Sequence, residues 1–217
     1  YDKSKDIWKY NGHIQIEKLC QDMFHKCKNY TVSEVVDTIR RNTYIPLKTL
    51  TESKVISALD GVLNPKTFEI TDHSPDYLTT TKLPFNLECK VKNEKLWNHI
   101  LSIIEDKDIN ILMELIWIGI SQNNAFKKCF FFKGLTNTQK TALVLIIAEI
   151  IGKDNVAFEK AKRILDPDSR FGINKLVGKR LNFAEEIGNM TSAMLETLKS
   201  LVGGIEQNTE RKNSNAN

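Results

Sequence analysis

The hydrophobic positions of residues 1–50 recur at the spacing of α-helices after a short polar start. In the first run these positions are Ile16, Leu19, Cys20, Met23, Phe24 and Cys27. Thr31 and Glu34 have the spacing of a capping box, which predicts the start of a second helix there. The apolar face of that second helix is predicted to lie in residues 35–39.

Residues 55–85 change to the pattern of short strands and loops. Two apolar segments, Val62–Leu63 and residues 68–70, flank the sequence NPKT at 64–67. Asparagine and proline favour tight turns, so this arrangement predicts two short strands joined by a turn. The chain is then predicted to continue as loop and extended segments that are punctuated by prolines.

Helical periodicity returns over residues 94–121. One apolar face contains Leu96, Trp97, Ile100, Leu101 and Ile104. The acidic sequence EDKD at 105–108 then predicts the start of a further helix. The polar segment 122–128 is interpreted as a connector, so we divide the chain into a helix-rich region, 1–122, and a second region, 123–217. The second region is predicted to begin with a strand, a loop and a helix.

Composition excludes some broad classes of protein and leaves others open. With 217 residues, of which 41% are hydrophobic and 27% charged, the chain resembles an ordinary globular protein. Its densest apolar runs, 111–120 and 142–151, are interrupted by Glu114 and Glu149, which favours buried helices over membrane spans. The four cysteines form no CxxC pair, which is typical of the reducing cytoplasm. The net charge of +4 permits contact with nucleic acid but does not by itself indicate it.

Residues 134–141, GLTNTQKT, have nearly the spacing of a loop that binds phosphate. Such a loop needs converging backbone N–H groups, a lysine that reaches the phosphate oxygens, and a hydroxyl that binds Mg²⁺. The sequence CFFF at 129–132 predicts a strand before the loop, and residues 142–152 predict a helix after it. Lys140 supplies the lysine and Thr141 the hydroxyl. The whole candidate cradle consists of Gly134, Leu135, Thr136, Asn137, Thr138, Gln139, Lys140 and Thr141.

Two adjacent acids follow another apolar segment of the same region. Residues 181–187, LNFAEEI, predict a short strand whose C-terminal end carries Glu185 and Glu186. In phosphoryl transfer one carboxylate binds Mg²⁺, and a neighbouring one orients the attacking water. We assign the first role to Glu185 and the second to Glu186. Adjacent acids are also common on surface helices, so the assignment depends on the strand before them.

Together these segments resemble superfamily 3 helicases of the phage, plasmid and poxvirus primase-helicase type. Residues 61–85 (GVLNPKTFEITDHSPDYLTTTKLPF) and the helical segment 94–121 resemble the part of the family that precedes the ATPase core. The sequence GLTNTQKT is similar to the family's phosphate loop. Residues 171–189 (FGINKLVGKRLNFAEEIGN) resemble the stretch that leads into the acidic strand end. Residues 198–213 (LKSLVGGIEQNTERKN) resemble the motif that introduces a hairpin facing DNA.

The resemblance implies an α/β fold in two parts. A mainly helical N-terminal region with a small β element would precede a partial phosphate-loop (P-loop) ATPase core of the AAA+-like type. The implied activity is that of an ATP-dependent DNA helicase that replicates a virus, plasmid or integrated mobile element, in the cytoplasm of a host or virus-infected cell. The implied cofactors are ATP and Mg²⁺. The implied partners are single-stranded or forked DNA, further copies of the chain in a ring that is usually hexameric, and a primase module as a further candidate.

The family's motifs also imply roles for individual residues, and the chain departs from those motifs in places. They assign phosphate contact to Lys140, Mg²⁺ binding to Thr141 and Glu185, water positioning to Glu186, and DNA contact to Arg211 and Lys212. Gln139 stands where the family has a glycine that lets the backbone approach phosphate. Ile205 stands where the family typically has an acid. The family's sensor residue and arginine finger are expected beyond the chain, which we interpret as a fragment.

Two alternatives therefore stay open beside the helicase interpretation. The departures at Gln139 and Ile205 are typical of a non-catalytic DNA-binding or assembly protein derived from such a helicase. A phosphate-loop kinase or another NTPase unrelated to DNA would have the same nucleotide loop. That third interpretation gives no reason for the segments GVLNPKT and GGIEQNTERKN.

Overall fold

The computed structural model describes residues 1–9, 12–24, 26–45, 55–89, 92–122, 127–166, 169, 172–185 and 187–204. Within these ranges the chain forms a mixture of α-helices and short strands, as predicted. The helices are α1 (Gly12–Met23), α2 (Asn29–Asn42), α3 (Glu94–Ile103), α4 (Ile109–Ser121), α5 (Lys140–Ile151), α6 (Ala161–Leu165) and α7 (Ser192–Gly203). The strands are β1 (Ile56–Ser57), β2 (Val62–Leu63), β3 (Ile70–Thr71), β4 (Val156–Ala157) and β5 (Leu181–Asn182).

The first two helices pack against each other, and α2 begins earlier than the capping-box prediction. Its N-cap is Lys28, which makes no side-chain capping bond. The predicted box is wrong because the Glu34 carboxylate accepts a hydrogen bond from the Tyr30 hydroxyl, at 2.6 Å, within the helix. The side chains that α2 buries are those of Val32 and Val36, so its inner face starts before the predicted residues.

The predicted β element is confirmed as an antiparallel sheet with the order β1-β2-β3. In the hairpin around 64–67, Val62 pairs with Thr71 and Leu63 pairs with Ile70. The Asn64 side chain accepts a bond from the Lys66 amide and so stabilises the turn. Strand β3 starts later than predicted because Phe68 lies in the left-handed region, with φ of 59°, which interrupts extended backbone.

A central hydrophobic cluster joins the helical region to the second region of the chain. Its buried members are Ile100, Leu112, Leu115, Leu143, Ile147, Ala148, Ile151 and Val156. Gly119 allows a close approach here, because a Cβ at this position would lie 2.8 Å from the Cδ1 atoms of Ile151 and Leu181. Residues from both sides of the predicted division at 122 thus share one cluster, and the division itself stays a prediction. Of the predicted face of α3, Ile100 is buried whereas Leu96 and Trp97 are exposed.

Strands β4 and β5 form a parallel pair that follows α5. Val156 pairs with Leu181, and Ala157 pairs with Asn182. Parallel strands cannot be joined by a tight turn, and the described part of the connection between β4 and β5 contains α6. The strand predicted over 181–187 is therefore confirmed only in its first two residues, Leu181–Asn182.

The strand predicted at 129–132 is wrong, because the structure assigns no strand to residues 127–135. Phe130 packs against the central cluster, whereas the next two side chains, Phe131 and Phe132, are exposed. Within the described residues, no other segment forms a β-ladder with this one. Its apolar composition predicted a buried strand, but a strand also needs a partner for its backbone groups.

A polar junction connects the end of α4 to both regions. The Arg180 guanidinium donates hydrogen bonds to the carbonyls of Gly119, at 3.3 Å, and Ile120, and to Thr81 Oγ1, at 2.9 Å. Burial lowers the pKa of Arg180 to about 10, so the group stays charged at neutral pH. A positive charge is favourable at this place because the C-terminus of a helix carries negative partial charge.

Asn155 makes a second junction beside the first. Its side-chain amide donates to the carbonyls of Lys82, at 2.8 Å, and Ile151, at 2.7 Å. The backbone carbonyl of Asn155 accepts from the Arg180 amide at 2.7 Å. These bonds tie the extended segment near Lys82 to the end of α5 and to the start of β5.

We expect Arg180→Met to lower the free energy of unfolding by about 2–3 kcal/mol, because two carbonyls and a hydroxyl lose a charged donor in a poorly solvated place. Urea unfolding followed by circular dichroism measures this change. Arg40→Met is the matched control, since Arg40 lies on the exposed surface of α2 and pairs with exposed Asp37. Equal losses of stability in the two variants would contradict the proposed importance of the junction.

Candidate phosphate-binding loop

Residues 134–139 form a loop that leads directly into the first residue of α5, Lys140. Two of its residues lie in the left-handed region, Asn137 with φ of 62° and Gln139 with φ of 59°. Gln139 is the N-cap of α5, and its carbonyl accepts the first helical hydrogen bond from the Leu143 amide at 3.0 Å. The chain therefore reverses its handedness immediately before the helix starts.

The conformation of Gln139 explains why the sequence pattern calls for glycine at this position. A left-handed backbone costs a residue with a Cβ about 1 kcal/mol or more, whereas glycine adopts it without that cost. Gln139 thus has a backbone conformation that favours glycine and bears the strain of a larger side chain.

The ammonium group of Lys140 lies inside the loop. It donates hydrogen bonds to the carbonyls of Gly134, at 3.0 Å, and Leu135, at 2.5 Å, and to Thr138 Oγ1, at 3.1 Å. The Thr138 hydroxyl donates in turn to the Leu135 carbonyl at 2.8 Å. The loop is therefore closed around a positive charge, and it faces solvent, since Leu135 is 82% exposed.

Gly134 leaves room for this closure. A Cβ at this position would lie 3.0 Å from Thr138 Oγ1 and 3.7 Å from the Lys140 Nζ atom. A larger residue would push the Thr138 hydroxyl away from the start of the loop.

The residues present are suited to an anion such as phosphate. Among the described residues, the backbone N–H groups of 135–139 have no hydrogen-bond acceptor. The N-terminus of α5 adds positive partial charge, since this helix has 12 residues with aligned peptide dipoles. The exposed Thr141 lies in its first turn, where a hydroxyl can bind Mg²⁺ next to a phosphate held by Lys140.

Glu185, the first of the two predicted acids, is not brought into contact with the loop. Glu185 is exposed and lies three residues beyond the end of β5. Within the described part of the chain, no hydrogen bond or ion pair joins it to residues 134–141. The remaining predicted site residues, Glu186, Arg211 and Lys212, lie outside the described residues, so their assignments stay predictions.

The acidic strand end and the loop are linked indirectly through the core. Leu181 and Phe183, which precede Glu185, pack against the central cluster, which also contains Leu143 and Ile147 of α5. Strand β4, which lies beside β5, was not predicted from the sequence. The apolar residues 156–158 after the helix-ending glycine are the signal that could have indicated it.

The comparisons with known proteins place the chain in no established group. A scan against protein-family models and a search of curated proteins each found no match.

None of the helices in the described ranges has the length and apolarity needed to cross a membrane.

Proposed function

We propose that this chain is the nucleotide-binding part of an ATP-dependent DNA helicase of the superfamily 3 type. The observation that carries the proposal is the loop at 134–139, which closes around the Lys140 ammonium at the start of α5. The nucleotide part of the proposal rests on this arrangement. The DNA part rests on the order of the sequence motifs that resemble this family.

In this proposal the loop amides and the N-terminus of α5 hold the phosphates of ATP, which is the substrate. The Lys140 ammonium leaves its hydrogen bonds to the carbonyls of Gly134 and Leu135 and donates to phosphate oxygens instead. Thr141 and Glu185 would hold Mg²⁺, which would supply positive charge to neutralise the phosphates. Glu186 orients the water that attacks the terminal phosphate.

The parallel pair β4–β5 supports the same assignment. In open α/β sheets, ligands bind beyond the carboxyl ends of the strands. Glu185 follows β5 at that end of the strand. A phosphate loop of this type follows a strand and opens a helix. Helix α5 follows the loop here, whereas the described residues before the loop, 127–133, form no strand.

The wider proposal concerns assembly and role. Copies of the chain would form a ring, usually a hexamer in this family, that moves on single-stranded or forked DNA. The process served would be replication of a virus, plasmid or integrated mobile element in the cytoplasm of its host, with a primase module as a further partner. Hydrolysis at the subunit interfaces would then be coupled to movement along DNA.

We expect Lys140→Ala to weaken the binding of a fluorescent ATP analogue at least tenfold, because a charged hydrogen bond to phosphate contributes about 1.5–3 kcal/mol. Lys133→Ala, just before the loop, is the control because it removes the same charge from an exposed position. Titration of the full chain with the analogue measures both affinities. Unchanged affinity in Lys140→Ala would contradict the assignment of the loop.

A second candidate function is a non-catalytic DNA-binding or assembly protein derived from such a helicase. Two observations favour it: the strained Gln139 backbone and the hydrogen bonds of Lys140 to its own loop. The strain at Gln139 makes the loop less stable than one with glycine, and the Lys140 ammonium has to leave its own loop carbonyls before it can contact a phosphate.

The variant Gln139→Gly separates the two candidates. If the protein is a degenerate helicase, we expect Gln139→Gly to acquire ATP hydrolysis that the unaltered chain lacks, because glycine removes the strain of the left-handed backbone. Thr136→Gly, in the same loop but at a position without positive φ, is the control and should stay inactive. Release of phosphate in the presence of single-stranded DNA is the measurement. Hydrolysis by the unaltered chain would rule out the non-catalytic candidate.

A further inference from the structure

A basic and aromatic surface follows the end of β4. It surrounds an open depression of about 550 Å³ that is lined by Phe158, Glu159, Lys160, Lys162, Arg163, Asp166 and Ser169. Phe158, Glu159 and Lys160 come directly after β4, and the other residues belong to α6 or follow it. The depression therefore lies beyond the carboxyl end of a parallel strand. We call these seven residues the β4-end surface.

The base of this surface is fixed by Glu159. Its side chain is only 9% exposed, and its carboxylate pairs with Arg163 at 2.9 Å and with Lys175 at 2.9 Å. The hydrogen bond from Arg163 is the main reason that the pKa of Glu159 lies below its usual range. The Asn182 side chain of β5 also bonds both backbone groups of Glu159, at 2.8 and 3.2 Å. The start of α6 is thus held to the strand pair, while the Arg163 side chain stays 65% exposed.

The charge of the surface is positive. Lys160 and Lys162 are exposed, and neither has an acidic partner among the residues that the structure describes. With Arg163, the described residues of the surface include three cations against the two carboxylates of Glu159 and Asp166, an excess of one. Lys175, which lies outside the surface and pairs with Glu159, adds a further cation beside it. An excess of exposed cations with unpaired ammonium groups favours a polyanion as the partner.

The aromatic part of the surface is Phe158. It is 52% exposed and packs on Phe183, with ring centroids 6.0 Å apart and ring planes inclined by 32°. Phe183 itself packs against the central cluster, so one side of Phe158 is supported by the core. The remaining part of the ring is open to solvent beside the two lysines. Stacking of bases on an exposed aromatic ring within a basic groove is the usual way in which proteins bind single strands.

We propose that the β4-end surface binds single-stranded nucleic acid, with phosphates at Lys160 and Lys162 and an unpaired base on Phe158. This inference rests on the proposed function, and it assigns strand contact to residues far in the sequence from the predicted Arg211 and Lys212. A duplex fits the surface less well, because its bases are stacked on one another and leave no face for Phe158.

Fluorescence anisotropy with a labelled oligothymidine of about 12 nucleotides, a length that spans one such site, tests the phosphate contacts. For Lys160→Gln/Lys162→Gln we expect the plot of log affinity against log salt to become shallower by about 1.4, or about 0.7 for each phosphate that the protein no longer neutralises. Lys66→Gln/Lys95→Gln removes the same charge from exposed positions elsewhere and should keep the original slope. Equal changes of slope in the two double variants would overturn the proposal.

Phe158→Leu tests the stacking contact without removing the apolar contact with Phe183. We expect this variant to bind oligothymidine about tenfold more weakly, because leucine has no aromatic face, and to bind an abasic strand of the same length as before. Phe158→Ala should show the same pattern, and thermal unfolding checks that both variants are folded. An equal loss of affinity for the abasic strand, or no loss for oligothymidine, would contradict the stacking role.

Binding of the fluorescent ATP analogue to the same proteins separates this inference from the proposed function. If the chain binds ATP but not oligothymidine, the β4-end surface does not bind single strands, and the proposal of a nucleotide site is kept. If the chain binds oligothymidine equally well in all variants, the strand lies elsewhere and the helicase proposal stands. A chain that binds neither ligand would overturn both.

Discussion

The hydrogen bonds of the partly buried Arg180 guanidinium are the interaction on which the rest of the structure depends. It joins three parts of the chain that are distant in sequence: the extended segment at Thr81, the carboxyl end of α4 and the start of β5. No carboxylate pairs with it among the described residues, so the charge is stabilised by carbonyl oxygens and by the negative end of a helix dipole. Its backbone amide also bonds to Asn155, which fixes the turn after α5. The hydrophobic cluster supplies the main driving force for packing, and this junction specifies which elements pack together.

The position of the candidate phosphate loop depends on this packing around Arg180 and Asn155. Helix α5 is held at its carboxyl end by Asn155 and along its length by the central cluster, so its amino end presents a fixed set of N–H groups. The loop before it closes over the Lys140 ammonium because Gly134 is small and because Asn137 and Gln139 adopt left-handed backbone. The same strand pair that follows α5 supports the β4-end surface through Asn182 and Phe183. The central cluster thus contacts elements that carry the proposed nucleotide site and elements that carry the proposed strand-binding site.

Local sequence rules predicted the parts of the fold that depend on neighbours in the chain. The hairpin around 64–67 and the helix α5 formed as expected, since a turn sequence and a long apolar run each determine structure locally. The strand at 129–132 did not form, because strand formation needs a partner that no local pattern supplies. The role of Arg180 could not be predicted from the sequence. Nothing local distinguishes this arginine from one on the surface, because its carbonyl partners are distant in the chain. In the candidate site, Gly134, Thr138 and Lys140 are in contact with one another, whereas Glu185 makes no contact with the loop among the described residues, and the phosphate-binding role of the loop stays a prediction.

The central claim is that the amides of residues 135–139 receive the phosphates of ATP. Hydrogen–deuterium exchange of the full chain, followed by mass spectrometry with and without ATP and Mg²⁺, tests it most directly. We expect exchange to slow in a peptide that spans the loop when ATP and Mg²⁺ are added. We expect Lys140→Ala to abolish this protection. If the nucleotide is bound and exchange in the loop is nevertheless the same with and without it, the amides of residues 135–139 do not receive the phosphates.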